Sequence, residues 1–296
     1  MTTKQKLLAH AAARLEAAGV DSPRTDARVL LAHALGVTVD ELLMIERVDP
    51  PAHAAFDQLL SRRVSREPLA YIIGTKEFFS LDFEVGPGVL IPRPETETLV
   101  EEALKTFPDH SADLHVLDFG SGSGCLIITF LLHYPRATGL AIDASKEALV
   151  WAARNAGRHG VAGRLAFVTQ AGGAPSTFDV VLANPPYLTE AEYRLAAPEI
   201  SRHEPKPAFV GGADGLDGYR ALATSLAENL APQGLAFVEI GAGQASQVAD
   251  LFVAEGLEVL RSVPDLGGIP RCVVVGRQGR TGTELQKTVG KQPASR

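Results

Sequence analysis

At 296 residues the chain is long enough for about two domains, each with a sizeable core. Charged residues make up 21% and apolar residues 46%, as in an ordinary soluble globular protein, and the net charge of −7 argues against gripping nucleic acid mainly through phosphates. Cys125 and Cys272 are the only cysteines, with no Cys-x-x-Cys and no Cys/His cluster, so neither a disulfide framework nor a metal site is expected. No apolar stretch reaches membrane-spanning length. Met1-Thr2-Thr3-Lys4-Gln5-Lys6 leads into an amphipathic helix pattern rather than a signal sequence, and the expectation is a cytoplasmic protein.

Residues 1–75 read as helical throughout. Leu7, Leu8, Ala11, Leu15 and Ala18 recur at helical spacing, and Gly19 stops the run. Ser22-Pro23 supplies an N-cap and a proline at the first helical position for a helix through Ala27, Leu30, Leu31 and Ala34, ended by Gly36. Thr38-Val39-Asp40-Glu41 has the spacing of a capping box for a short third helix. Pro50-Pro51 opens another, through Phe56, Leu59, Leu60 and Val64. No residue here forms a chemical constellation. Arg62, Arg63 and Arg66 read as a solvated helix end, with docking of an acidic partner as the alternative.

Residues 76–92 change character. Phe78 to Val85 alternates in polarity and Gly86-Pro87-Gly88 is a turn, so a β-hairpin joining two domains is expected. In Ile91-Pro92-Arg93-Pro94-Glu95-Thr96-Glu97 two prolines hold Arg93 extended, and Thr96 starts a helix through Leu99, Val100 and Leu104.

From residue 115 strands and helices alternate, the sign of a parallel sheet and an α/β fold. His115 to Phe119 is the first strand, followed by Gly120-Ser121-Gly122-Ser123-Gly124 and a helix from Leu126 to Leu132. Glycines let a ligand approach the backbone and a helix N-terminus adds unpaired N–H donors, although an ordinary tight turn has the same composition. The spacing D-x-G-x-G-x-G, with no lysine after it, disfavours a dinucleotide or a triphosphate. Strand two, Gly139 to Ile142, ends in Asp143, where nucleotide-binding α/β folds hold a ribose diol; a helix-capping aspartate is the alternative. Leu165 to Val168 and Asp179 to Ala183 are strands three and four.

After strand four comes Asn184-Pro185-Pro186-Tyr187. A polar amide at the C-terminal end of a buried strand sits where open α/β sheets bind ligands. The prolines remove two backbone donors and stiffen the loop, leaving carbonyl acceptors, one carboxamide and an aromatic face. That set suits a planar NH2 group, with the Asn184 oxygen and the Pro185 carbonyl each accepting one N–H and the Tyr187 ring against the plane. A proline-rich strand exit with Tyr187 capping the core is the other reading. Residues 188–217 form a long insertion with His203-Glu204-Pro205 and Gly211-Gly212-Ala213-Asp214-Gly215, of the kind used as a lid or substrate wall. Tyr219–Leu230 is helical, Gly234–Ile240 is strand five, and a helix through Val248 and Leu251 leads to strand six, Leu257–Val263. Arg271 to Val275 is the last strand, and the polar, basic residues 277–296 are expected to be disordered.

The Gly-rich loop, Asp143 and Asn184-Pro185-Pro186-Tyr187 together resemble a class I S-adenosylmethionine-dependent methyltransferase acting on an amino or amide nitrogen. With Arg66-Glu67-Pro68-Leu69-Ala70-Tyr71-Ile72-Ile73-Gly74, Val89 to Glu97 and Gly211 to Leu216, roughly residues 5–276 resemble the release-factor glutamine N5-methyltransferases of the HemK/PrmC type. The resemblance implies a Rossmann-like seven-stranded sheet whose last strand is antiparallel, a small all-helical N-terminal domain that docks substrate (1–75), a linking β-hairpin (76–92) and a methyltransferase domain (93–276). It implies S-adenosylmethionine as cofactor, and as partner a bacterial class 1 peptide chain release factor, methylated on the glutamine of a Gly-Gly-Gln loop. Carried over, Gly120, Ser121, Gly122, Ser123 and Gly124 hold the methionine end and Asp143 the ribose hydroxyls. Asn184, which also borders the cofactor, holds the glutamine amide with Pro185, Pro186 and Tyr187; Asn184, Pro185 and Tyr187 serve the reaction. After strand three the family usually has an acidic residue and an aromatic beside the adenine. This chain has Gln170-Ala171-Gly172-Gly173-Ala174, so adenine contacts are expected from the backbone at Gly172 and Gly173.

No dedicated general base is expected, because an amide nitrogen becomes very acidic only once methylated; catalysis is orientation and electrostatics. Glu239 and His203-Glu204 are candidates for the pocket wall, and Arg93 for closing over the cofactor carboxylate. Rival readings are methylation of a ribosomal-protein glutamine or an exocyclic nucleobase amine, and, in another class, a non-catalytic cofactor-fold binding module of the translation machinery.

Overall fold

A computed structural model describes residues 2–169, 177–265 and 267–279. They fall into two units, one within Met1–Thr75 and Ala196–Glu204 and the other within Lys76–Leu195 and Pro205–Arg296.

In the first unit, strand β1 (Thr2–Thr3) leads into helix α1 (Lys4–Ala17), which buries Leu7, Ala11 and Leu15 on one stripe. Helix α2 (Pro23–Leu35) buries Ala27, Leu30 and Leu31. The capping box forms: the Glu41 carboxylate accepts from the Thr38 N–H and hydroxyl, and Thr38 Oγ1 accepts from the Glu41 N–H. The helix it starts is one 3₁₀ turn, Glu41–Met44. Strand β2 (Arg47–Val48) then pairs antiparallel with β1, a departure from the all-helical reading that two-residue strands are too short to announce. Helix α3 (Pro50–Val64) is capped by Asp49, which accepts the Ala52 N–H at 2.9 Å, and α4 (Leu69–Ile73) follows. Leu15, Leu30, Leu31, Phe56 and Leu60 close the core of this unit.

The arginines near the end of α3 are not simply solvated. Arg63 is buried, and its guanidinium reaches Asp26 at 2.7 Å and Glu199, from Ala196–Glu204, at 2.8 Å. Arg66 grips both oxygens of Glu199, at 2.7 and 2.6 Å, and Arg62 pairs with Glu67. The acidic partner of these cations is internal. Burial works against ionisation of Glu199, but the bonds from Arg66 and Arg63 outweigh it and hold the carboxyl down at about 2.

Strands β3 (Thr75–Phe78) and β4 (Leu81–Glu84) form the expected hairpin, but its turn is Phe79-Ser80, inside the alternating stretch and not at Gly86-Pro87-Gly88. Both turn residues have left-handed φ, 53° and 60°. Such turns normally carry Asn-Gly; here the Glu97 carboxylate accepts the Phe79 N–H at 2.9 Å and Glu77 accepts that of Ser80. A 3₁₀ turn, Pro94–Thr96, runs into α5 (Glu97–Thr106).

The remaining elements are β5 (His115–Phe119), α6 (Cys125–His133), β6 (Thr138–Ile142), α7 (Lys146–Arg158), β7 (Leu165–Val168), β8 (Phe178–Ala183), α8 (Glu190–Leu195), α9 (Pro198–His203, of the first unit), α10 (Asp217–Asn229), β9 (Leu230–Glu239), α11 (Ala245–Ala254), β10 (Leu257–Pro264) and β11 (Pro270–Arg277). The seven-stranded sheet has the order β10-β11-β9-β8-β5-β6-β7. Strands β5 to β9 are mutually parallel where they pair, and β11 is antiparallel to both neighbours. Both faces are covered, which is why the strands read as continuous apolar runs. Val180, Leu182, Leu235 and Phe237 enter one core layer, and Val181, Ala183, Ala236 and Val238 the other. Residues 280–296, most of the tail expected to be disordered, lie outside the described residues.

Candidate active site

Strands β5 and β8 are parallel neighbours whose connections leave toward opposite ends of the sheet, so a crevice opens beyond their carboxyl ends. At the end of β5 the chain turns through Gly120, Gly122 and Gly124, all with left-handed φ. At the end of β8 stands Asn184. A cavity between them is lined by Leu90, Pro92, Arg93, Thr96, Gly120, Ser121, Gly122, Ser123, Cys125, Leu126 and Asn184. Asp118, within β5, is buried beneath the turn and accepts from Ser121 Oγ at 2.8 Å; burial pushes its carboxyl up to about 7. Asp143, next after β6, accepts the Gly122 N–H and the Ser145 N–H, each at 2.8 Å. Ser145, not Asp143, caps α7 by accepting from the Ala148 N–H.

The carboxamide of Asn184 is anchored at one end. Nδ2 donates to Thr96 Oγ1 at 3.2 Å, and Thr96 Oγ1 donates to Glu239 Oε2 at 2.6 Å. Among the described residues Asn184 Oδ1 has no hydrogen-bond partner. Glu239 ends β9, is 1% exposed, and sits behind Thr96 instead of lining the cavity. Burial pushes its carboxyl up to about 7, against the Thr96 bond. The Tyr187 hydroxyl lies 3.5 Å from Glu239 Oε1, and burial pushes the phenol up to about 12. Thr96 is thus part of the site, whereas the sequence marks it only as a helix start. The available signal was Glu239 itself, a carboxylate closing an apolar run and therefore in need of a buried donor.

The loop carrying Asn184 is braced through its backbone. The Leu188 N–H donates to the Phe209 carbonyl and the Gly211 N–H to the Leu188 carbonyl, while Gln244 Nε2 donates to the Tyr187 carbonyl at 3.0 Å. A Cβ at Gly211 would lie 2.4 Å from the Pro186 oxygen, and one at Gly215 (φ 75°) 2.4 Å from the Tyr187 oxygen. The Gly-Gly-Ala-Asp-Gly stretch therefore presses against the loop as a brace, and only residues without a side chain fit at these two points. Gly215→Ala is expected to destabilise the protein by about 1–3 kcal/mol, read from its urea unfolding midpoint.

The other candidates fall elsewhere. His203 and Glu204 belong to the first unit and do not line the cavity. Arg93 does line it, with its guanidinium 5.9 Å from the centre of the Phe209 ring. Gly172 and Gly173 lie outside the described residues. Among the described residues no cluster of His, Cys, Asp and Glu is arranged to hold a metal ion, and no helix is long and apolar enough to cross a membrane.

Residues 6–74 match the family described as PrmC N-terminal domain, and residues 96–201 match the Methyltransferase small domain. The chain is 42% identical over 286 residues to a protein named Release factor glutamine methyltransferase from Nitratidesulfovibrio vulgaris, covering 93% of this chain and 95% of that one. A protein of the same name from Geobacter sulfurreducens is 40% identical, over 94% of this chain and 97% of its own length. The crystal structure of a methyltransferase from Pyrococcus furiosus shares the fold, with a TM-score of 0.50 at 21% identity, over 69% of this chain and 92% of that one.

Proposed function

The chain belongs to the release factor glutamine methyltransferase family, and from that membership we propose that it methylates the side-chain amide nitrogen (N5) of the Gly-Gly-Gln glutamine in class 1 peptide chain release factors. The observation that carries this reading to named atoms is the Asn184 carboxamide, which lines the Gly-rich cavity and is tethered through Nδ2, with no partner for Oδ1 among the described residues.

The cavity suits S-adenosylmethionine in kind. Leu90, Pro92 and Leu126 give apolar walls, the turn Gly120 to Gly124 admits close approach, and Arg93 supplies a cation for a carboxylate. Asp143 does not line the cavity but accepts the N–H of Gly122, which does, and is the acceptor proposed for the diol. Bound there, the cofactor supplies an electrophilic methyl group.

Toward the glutamine, Asn184 Oδ1 and the Pro185 carbonyl each accept one amide N–H, the Tyr187 ring lies against the amide plane, and Pro186 stiffens the loop. An amide lone pair is normally delocalised into its carbonyl. Holding both N–H groups on two fixed acceptors favours a pyramidal nitrogen and aims the lone pair at the cofactor side of the cavity. The proton is released after methylation, and no side chain is assigned as its base.

The protein is to be incubated with S-adenosylmethionine and a purified release factor, and the product mapped by peptide mass spectrometry. Methyl on the Gly-Gly-Gln glutamine is the expected result; label absent from that residue, or found on added DNA alone, would overturn the proposal.

A further inference from the structure

A carboxamide has an acceptor at one end and donors at the other, in nearly the same shape, so a site that must accept an N–H needs something to keep the oxygen outward. The groups behind Asn184 make that choice. The Glu239 carboxylate is an acceptor only, so the single Thr96 hydroxyl proton goes to Oε2, at 2.6 Å. Thr96 Oγ1 then has only lone pairs to offer Asn184, and it receives Nδ2 at 3.2 Å. We infer that Thr96 and Glu239 are positioning residues that fix which end of the Asn184 carboxamide faces the substrate, a role that rests on Asn184 being the acceptor for the glutamine amide.

The same geometry contains a one-proton switch. Once protonated, Glu239 donates to Thr96 Oγ1, and the threonine proton turns toward Asn184. The carboxamide is then satisfied equally well rotated by half a turn, with NH2 presented to the substrate NH2. Thr96 of the 3₁₀ turn and Tyr187 of the loop reach the Glu239 carboxyl directly, and the other titratable groups near enough to feel its charge are Glu95 of the turn, Cys125 of α6, Tyr219 of α10, and Arg271 and Cys272 of β11. Burial raises the carboxyl to about 7, partly offset by the Thr96 bond, with Glu95 adding to the rise and Arg271 opposing it. The carboxylate form dominates above that pH, so the outward oxygen is lost, and kcat with it, as pH falls through about 7.

Kinetics on the full chain with a release factor test this. Thr96→Val is expected to lower kcat roughly 10- to 100-fold, a much larger effect than any change in S-adenosylmethionine affinity measured by calorimetry, since Thr96 also lines the cavity, and Thr96→Ser to restore it. Glu239→Gln, whose NH2 donates as the protonated acid would, is expected to show a reduced kcat without the acid limb near pH 7. Parental kcat in Thr96→Val, a Thr96→Ser no better than it, or a parental acid limb in Glu239→Gln would each sink the assignment. If Thr96→Val does not fold, Thr96→Ser and Glu239→Gln decide. A neutron structure gives a readout independent of turnover: deuterium on Asn184 Nδ2 toward Thr96 and on Thr96 Oγ1 toward Glu239 is expected, and the reverse polarity refutes the inference. A parent that leaves release factors unmethylated would refute the proposed activity instead, with the neutron result alone deciding the positioning.

Discussion

Asn184→Ala is expected to lower methyl transfer ~100-fold or more while S-adenosylmethionine still binds, because on the proposed mechanism it removes one of two positioned acceptors and truncates only one of the eleven residues that line the cavity. The loop itself is held by Pro185 and Pro186 and by backbone bonds at Leu188 and Gly211, so the truncation is local. With only the Pro185 carbonyl left, the amide nitrogen can relax to its planar, delocalised form and swing away from the line of attack. Single-turnover assays, run beside calorimetric titration of the cofactor, separate this loss from a loss of binding. Equal turnover by variant and parent would remove Asn184 from the mechanism.

The second large effect concerns stability. Arg63→Ala is expected to cost about 3–5 kcal/mol, the usual consequence of leaving buried carboxylates without their cation. Arg63 has a side chain only 8% exposed, between Asp26 at 9% and Glu199 at 16%. Arg66 still holds Glu199 in the variant, but the bond from Arg63 Nε to Asp26 Oδ2 is gone. Acid has a related effect. The Glu199 carboxyl is held at about 2 in the folded chain against an ordinary 4.5. Its contribution is therefore complete above pH 4.5 and lost as pH falls from there toward 2. Hydrogen exchange at the amides of α2 and α3 localises both effects to the first unit. A loss below about 1 kcal/mol in Arg63→Ala, or exchange there unaffected between pH 5 and pH 3, would show that the triad contributes little.

Much of the α/β unit was legible in the sequence for a physical reason. Strands buried on both faces spell themselves as unbroken runs such as Val180-Val181-Leu182-Ala183, and the glycines, Asp143 and Asn184 follow directly on the strand ends that the topology brings together. What escaped were partners distant in sequence and conformations without a compositional mark. Thr96 and Glu239 are 143 positions apart, and Arg63 and Glu199 136 apart, so no local spacing relates them. The Phe79-Ser80 turn lacks the usual glycine or asparagine, and its acceptor Glu97 sits on a helix 18 positions away. Gly211 to Gly215 read as a lid or substrate wall because glycine marks close approach without saying of what; the neighbour is the chain's own loop.

That neighbour has a thermodynamic consequence. The Pro186 and Tyr187 main-chain oxygens packed on glycines, together with the two pyrrolidine rings, leave the Asn-Pro-Pro-Tyr segment few alternative shapes in the free protein. The entropy of arranging the grip is lost when the chain folds and not when a glutamine arrives, so encounter begins with the acceptors already preorganised. Affinity for the incoming loop is then limited by ordering of the guest more than of the host.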